Sequence, residues 1–513
     1  MKILSIPLVV HDTSICIMED GNLLLYQMEE RFSRQKHDAH CNKILDNLKD
    51  TFFDKIVITQ HFLETFTYPL EEVKKKISKL SYKELIVEEE RHHLYHTYSG
   101  FYNSGFEDAI CFSLDASGAI LNDGTIELES VYHLRKNQEE KKLHQRTREF
   151  RVVKIDDSFW QHISSIDFSN LSVGEQFQKL SAVFGYNPVD GAGKIMGLAQ
   201  YKNHKEKLQI PYNTEEWKKK VDVAYNLQQE TQDHILRMIK KYTEETGIKN
   251  VVISGGYGLN CVANYHYLKH LKDINIYVDP ICFDAGICIG AAYYHTENKS
   301  KIKPLESAYI GYQEESYDFS GLDAKKVSYD DIVELLLEKH VVALFQGKSE
   351  AGQRALGNRS LLFDPRVLNG KDIVNRIKKR ENFRPFAGTI LQEEAHKWFN
   401  MLSLKESPYM QYAVDAYKNA IEEVPAIIHA DNTCRIQTVT QNQNNYFYNL
   451  ISHFFERTGV PMLMNTSFNL GGEPLVETFQ DAICTFKNSM IEYLYLPEVE
   501  TLITVKNKTI SYQ

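Results

Sequence analysis

Short apolar runs punctuated by turn residues dominate the first part of the chain. Lys2–Val10 reads as a buried strand, Ser14–Glu19 as a second and Leu23–Glu29 as a third. Asp20-Gly21-Asn22 makes the tight turn between the last two, since Asp-Gly between alternating runs is a hairpin signal. Cys41–Asp50 has a helical pattern and Lys55–Gln60 the pattern of a buried strand. A helix is expected over Glu89–Tyr102. It is followed by a buried strand at Asp108–Asp115 that ends in Ala-Ser-Gly, and by more strand at Thr125–Leu134.

The same alternation starts again further on. Val251–Ile253 is a strand running into Ser254-Gly255-Gly256, and Asn275–Val278 is another. Asp284–Tyr294 is a helix of small residues, suited to close packing on a neighbour. Strands and helices in two successive lobes predict an α/β architecture with internal duplication. Glu297–Asp330 reads as a connector with weak periodicity. Beyond it, Val341–Phe345, Ala387–Leu391 and Pro461–Met464 read as strands, and Ile373–Lys379 and Asn445–Thr458 as helices. A boundary near residue 312 therefore separates a domain over 1–312 from one over 313–513. The charged stretch Arg135–Arg151 reads as a solvated loop or helix face.

Composition changes this picture in three ways. Apolar residues at 43% and aromatics at 12% of 513 residues are enough to build real cores, which excludes a largely disordered chain. A formal charge of −10 disfavours a long duplex interface, so nucleic acid is not expected as a partner. The eight cysteines form no Cys-x-x-Cys pair, as for buried thiols in a reducing cytosol. Met1–Val10 is too short for a secretory signal and no apolar run reaches about 18 residues, so a cytoplasmic protein without a membrane span is expected.

Three constellations could carry chemistry. The first is His92-His93-Leu94-Tyr95-His96. On a helix, His92 and His96 project from one face and could share a metal ion; such pairs are about as often packing residues. Asp115, at the end of a buried strand, and Asp284, opening a glycine-rich helix, are the carboxylates best placed to complete a ligand set. Each could equally cap a turn or helix. The second comprises the glycine-rich turns Gly191–Gly197, with Gly193 and Lys194, and Ser254–Asn260, with Gly255, Gly256 and Asn260. Glycines let backbone N–H groups approach phosphate oxygens, although neither run is a Walker loop or a dinucleotide fingerprint. The third is cationic. Arg354 and Arg359, Lys378-Lys379-Arg380, Arg384 and Arg435 suit a pocket for a small dianion, the alternative being a solvated basic face.

Together these segments resemble the ATP-dependent O-carbamoyltransferases of nodulation-factor, cephalosporin and aminoglycoside pathways. The carrying stretches are His11-Asp12, Glu29–His37, His92–His96, Gly193–Tyr201 and Gly258–Asn264. After them come DAGICIGAA, RALGNRSLLFDPR, KKRENFRPFAG, HADNTCRIQT and NTSFNLGGEP, in the family's order over nearly the whole chain. The sequence departs from the family in Val10 before His11, Gly352-Gln353 before Arg354, and Gly388 after Arg384-Pro385-Phe386-Ala387.

The resemblance implies an α/β fold: a duplicated actin/hexokinase-like (ribonuclease-H-like) N-terminal domain for carbamoyl transfer, and a C-terminal domain resembling threonylcarbamoyl-adenylate synthase that forms carbamoyl adenylate. The implied substrates are carbamoyl phosphate, ATP with Mg2+, and a hydroxylated small molecule: a sugar, a natural product such as a macrocyclic alcohol, or a hydroxymethylated nucleotide. By the same resemblance Arg354, Lys378, Arg384 and Arg435 would hold carbamoyl phosphate and the ATP phosphates, and Ser467 and Asn469 would line the adenylate phosphate site. His92, His96 and Asp284, with Asp115 close by, would hold an iron-like divalent ion. His11 would be the general base, its ordinary pKa lying near neutrality. Lys36 would contact the intermediate, and the turns at Gly193–Lys194 and Gly255–Asn260 would approach the AMP moiety. Acceptor residues would fall in variable parts such as Arg135–Phe168. A homodimer is expected by analogy alone. The runner-up is a component of tRNA threonylcarbamoyl transfer, which the His92–His96 run also fits.

Overall fold

The computed structural model describes residues 1–48, 51–60, 67–150, 167–202 and 214–504. The chain divides into two compact units, Met1–Glu306 and Ser307–Gln513. The division falls upstream of residue 312 because the intervening segment is already bound to the second unit. Tyr309 Oη donates to Leu356 O at 2.7 Å, and Ala351 N–H donates to Ala308 O at 2.9 Å.

The first unit holds two five-stranded sheets. One is built from β1 (Lys2–Leu8), β2 (Ser14–Glu19), β3 (Asn22–Met28), β4 (Phe52–Gln60) and β5 (Ser81–Glu88), in the order β3-β2-β1-β4-β5. The other uses β6 (Asp108–Leu114), β7 (Thr125–Arg135), β8 (Lys141–Glu149), β9 (Asn250–Ser254) and β10 (Asn275–Val278), in the order β10-β9-β6-β7-β8. Counted from its own first strand, each sheet has the same plan. Strands one to three form an antiparallel meander, strand four pairs in parallel with strand one, and strand five in parallel with strand four. The first unit is therefore a duplicated actin/hexokinase-like, ribonuclease-H-like fold. The duplication that weak self-similarity suggested is plain in the strand order.

Several sequence expectations shift. The helix foreseen from Glu89 begins at His92 and runs to Ser104, because Glu90 sits at φ +63° and cannot join a right-handed helix. In the stretch Arg135–Arg151 only residues 136–140 form a largely exposed turn; the rest of its described part is mainly the edge strand β8, whose Arg146 and Arg148 pair with the buried Glu129 and Glu175. The supposed glycine turn Gly191–Gly197 lies inside a helix, Pro188–Ala199, started by Asn187 capping Val189 and Asp190. The small-residue helix, Ile287–His295, packs on His92–Ser104 as its composition suggested. A Cβ on Gly290 would lie 1.8 Å from Tyr95 O, so only glycine permits this approach.

The second unit is one ten-stranded mixed sheet. Its strands are β11 (Asp323–Lys326), β12 (Val342–Phe345), β13 (Arg359–Phe363), β14 (Ala387–Leu391), β15 (Phe399–Asn400), β16 (Ala413–Ala416), β17 (Thr433–Val439), β18 (Met462–Ser467), β19 (Tyr493–Leu496) and β20 (Thr501–Thr504). They lie in the order β11-β20-β19-β12-β13-β18-β14-β17-β16-β15. Arg359 is fully buried, its guanidinium stacked 3.8 Å over Phe345 and bonded to backbone carbonyls, among them Gln346 O at 2.6 Å and Glu477 O at 3.1 Å. It braces the sheet, unlike its neighbour Arg354. Among the described residues no helix is long and apolar enough to cross a membrane.

Candidate functional site

In the first unit four predicted ligands converge. His92 and His96 stand on the first turns of the helix His92–Ser104, Asp115 follows the last residue of β6, and Asp284 opens the turn before the helix Ile287–His295. All four are buried, and one donor atom from each lies within 4.8 Å of the others. The separations are 3.2 Å between the two Nε2 atoms, 3.3 and 2.9 Å from His92 and His96 to Asp115 Oδ2, and 3.6 and 3.4 Å to Asp284 Oδ1. Metal–ligand bonds of about 2.1 Å place neighbouring ligands about 3.0–3.4 Å apart, so two imidazoles and two carboxylates at these spacings fit a divalent transition ion.

The surroundings orient the set. Asp115 Oδ1 accepts backbone N–H bonds from Ala116 at 2.7 Å and Gly256 at 3.3 Å, which turns Oδ2 toward the histidines. Gly255, at φ +83°, makes that possible, since a Cβ there would lie 2.3 Å from Leu114 O. Burial alone would lower the His96 pKa, but Asp115 and Asp284 outweigh it and push it up to about 9. The histidines in turn hold Asp115 well below the usual carboxylate range against its burial.

A second network includes His11. His11 Nδ1 and His37 Nδ1 each lie 2.9 Å from an oxygen of Asp12, which is buried at φ +60°. His37 Nε2 is 2.9 Å from Asp190 Oδ1, and Lys36 Nζ bonds the same oxygen. Burial opposes a charge on His11, yet Asp12, with a contribution from Asp284, pushes its pKa up to about 9. For His37 the burial penalty is outweighed by Asp12 and Asp190, and the pKa rises to about 10. A raised pKa favours the imidazolium, the form of His11 that has a proton to give.

Sequence reasoning passed over Asp12, His37 and Asp190. Two of them sat inside quoted motifs, but only the fold brings Asp190 from its helix to the loop after β3. The raised His37 pKa also fixes a sign for stability. A group whose pKa rises from 6.5 to about 10 on folding adds stability that is complete below 6.5 and lost as pH climbs through 10. Asp190→Asn is expected to lower the melting temperature by about 2–4 °C near pH 7 and to converge with the parent above pH 10. Melting curves across that range would refute the network if the difference were independent of pH.

Other predicted residues fall differently. Gly193 and Lys194 lie on the helix that carries Asp190, and Lys194 Nζ sits 4.8 Å from the centre of the Tyr186 ring. Asn260 caps the helix Cys261–His270 through Ala263 N–H at 3.1 Å and donates to Gln228 Oε1 at 3.0 Å.

In the second unit the structure brings Lys378, Ser467 and Asn469 together. Lys378 Nζ donates to Ser467 O, to Asn469 O at 2.9 Å and to Asn469 Oδ1 at 3.1 Å, and Ser467 Oγ bonds Asn469 Oδ1. Arg384 and Arg435 form a second group with Arg380, which the sequence placed in the cationic set without giving it a role of its own. Lys379, at φ +53°, reverses the chain between Lys378 and Arg380. Arg380 stacks 4.3 Å from the Phe386 centroid, and its pKa is pushed well down, first by burial and then by the charges of Arg384 and Arg435. Arg435 Nε is buried with no hydrogen-bond partner. Arg354 is half-buried on the loop between β12 and β13.

Residues 333–502 match the family described as "Carbamoyltransferase C-terminus", and residues 205–293 match "Carbamoyltransferase N-terminus". The chain belongs to the carbamoyltransferase family. It is 28% identical to the nodulation protein NolNO of Sinorhizobium fredii over 94% of this chain and 78% of that one. It is 29% identical to the nodulation protein NolO of Bradyrhizobium diazoefficiens over 79% of this chain and 77% of that one. Among solved structures, full-length HypF in a phosphate- and nucleotide-bound form is 14% identical, with a TM-score of 0.36 over 58% of this chain and 56% of that one.

Proposed function

We propose that the protein is a two-stage, ATP-dependent O-carbamoyltransferase. In the second unit water attacks carbamoyl phosphate, the anhydride C–O–P link breaks, and carbamate, inorganic phosphate and a proton form. A carbamate oxygen then attacks the α-phosphate of ATP, giving carbamoyl adenylate and pyrophosphate. In the first unit a hydroxyl of a small-molecule acceptor attacks the carbamoyl carbon, AMP leaves and one proton is released. The observation that carries this reading is the guanidinium cluster Arg380, Arg384 and Arg435. Three like charges held close and partly offset by Glu381, 3.6 Å from Arg384, with one buried Nε lacking a hydrogen-bond partner, form an environment that a phosphate would stabilise.

The residues divide the work. Arg354, Arg384 and Arg435 hold phosphate oxygens, joined by Arg380. Lys378 holds Ser467 and Asn469 in place and with them lines the adenylate phosphate. Preorganised cations of this kind lower a phosphoryl-transfer barrier by several kcal/mol, roughly, because they need not reorganise as charge develops. Enclosure also protects carbamate, which water destroys.

In the first unit a divalent ion held by His92, His96, Asp115 and Asp284 would polarise the carbamoyl oxygen. His11, kept protonated by Asp12, donates a hydrogen bond to the leaving phosphate, and Lys36 adds charge on the same side. The backbone at Gly255 and Gly256 borders the AMP moiety.

Mass spectrometry of the purified protein with carbamoyl phosphate, ATP and Mg2+ tests this directly. AMP and pyrophosphate are expected only when carbamoyl phosphate is present. Their absence from folded, metal-replete protein, with acceptor mixtures added, would refute the reading.

A further inference from the structure

One buried carboxylate in the second unit has no part in the reaction above. Glu350 is 1% exposed and lies on the loop between β12 and β13, the loop that carries Arg354. Its Oε1 accepts three backbone N–H bonds, from Leu356 at 2.7 Å, Asn358 at 2.9 Å and Arg359 at 3.2 Å. Its Oε2 is buried with no hydrogen-bond partner. A buried carboxylate oxygen without a donor opposes folding. A glutamine would fill the same volume without a buried charge. What the charge adds is stronger acceptance of three N–H groups by one oxygen, which draws the loop into a ring around Glu350.

The rest of the loop is fixed from outside. Leu356 O accepts from Tyr309 Oη at 2.7 Å and from Gln437 Nε2 at 2.8 Å. Gly357 O accepts from Gln346 Nε2 at 2.8 Å, and Ala355 O from Asn465 Nδ2 at 3.2 Å. The backbone that follows Arg354 is thus held on both its N–H and its C=O side.

We infer that Glu350 is a positioning residue for Arg354: by gathering the amides of residues 356, 358 and 359 it fixes the direction in which the Arg354 guanidinium meets a phosphate. The inference rests on the reading of Arg354 as a phosphate ligand.

The test uses the full chain and inorganic pyrophosphate as probe, with binding followed by calorimetry and melting temperature recorded for every variant. Four proteins form a cycle: the parent, Glu350→Gln, Arg354→Ala and the double variant. Arg354→Ala is expected to weaken binding about tenfold or more, and Glu350→Gln about fivefold. The double variant should bind no more weakly than Arg354→Ala. Glu350→Asp, which keeps the charge, should recover part of the loss. A purely structural Glu350 would instead weaken binding equally whether or not Arg354 is present. That additivity would overturn the inference, as would parental affinity in Glu350→Gln. Parental affinity in Arg354→Ala would overturn the phosphate reading of Arg354 itself, and the inference with it. Weakened Arg354→Ala beside a normal Glu350→Gln would overturn the inference alone.

Discussion

Replacing Lys378 with alanine is expected to reduce carbamoyl-phosphate-dependent AMP formation by about a thousandfold or more while the protein stays folded. The ammonium of Lys378 is the common partner of Ser467 and Asn469. Without it, Ser467 O and Asn469 O and Oδ1 lose their shared donor and keep only local bonds such as that from the Ser467 hydroxyl to Asn469 Oδ1. The turn that ends β18 would loosen, and the groups assigned to the adenylate phosphate would move with it. Arginine should not restore activity, because a planar fork cannot reproduce the compact geometry of an ammonium among four acceptors. Arg384→Ala should cause a similar loss by a different route, removing one of the cluster's three charges while the Lys378 turn stays intact. Product analysis beside a melting curve decides the matter. Parental rates in both folded variants would remove this pocket from the chemistry.

The second large effect belongs to the first unit. His96→Ala is expected to strip the protein of bound metal and to abolish carbamoyl transfer, yet leave AMP-forming chemistry in the second unit within about twofold of the parent. Loss of one ligand from four costs metal affinity heavily, and the alanine leaves Asp115 and Asp284 facing only His92. The protonation of His96 adds a signature. With its pKa pushed up to about 9, the imidazole must shed a proton before it can ligate, so apparent metal affinity should rise with pH up to about 9 and then level off. Elemental analysis and metal titrations at several pH values test both statements. Undiminished metal in His96→Ala would take the histidine pair out of the ligand set.

Much of this was legible in the sequence, and what was not has physical causes. Strands such as Ser14–Glu19, Asn275–Val278 and Ala387–Leu391 are bounded by turn residues, and their limits fall where the pattern put them. The duplication was legible only as a repeated alternation, because a shared strand order leaves little trace in residue identity. The helix Pro188–Ala199 was mistaken for a loop since glycine lowers helix propensity by only about 1 kcal/mol, which the Asn187 cap and tertiary packing outweigh. The convergence of His92, His96, Asp115 and Asp284 was readable because strand ends and helix starts are where side chains of this fold meet. Asp190 was not, and Arg380 was legible only as one cation of a run, for their roles depend on partners brought from elsewhere in the chain: His37 for one, Arg384 and Arg435 for the other. The His11 state was hidden for the same reason, since its charge is set by Asp12 and Asp284.

The four-donor set has one further consequence. His92 and His96 are made early in synthesis and Asp284 near the end of the first unit, after every strand of both sheets. A nascent chain ending anywhere before that residue can offer an ion at most three of the four donors. On the proposed reading, tight metallation of this set is a completion signal: it becomes available only when the second repeat has been translated and closed.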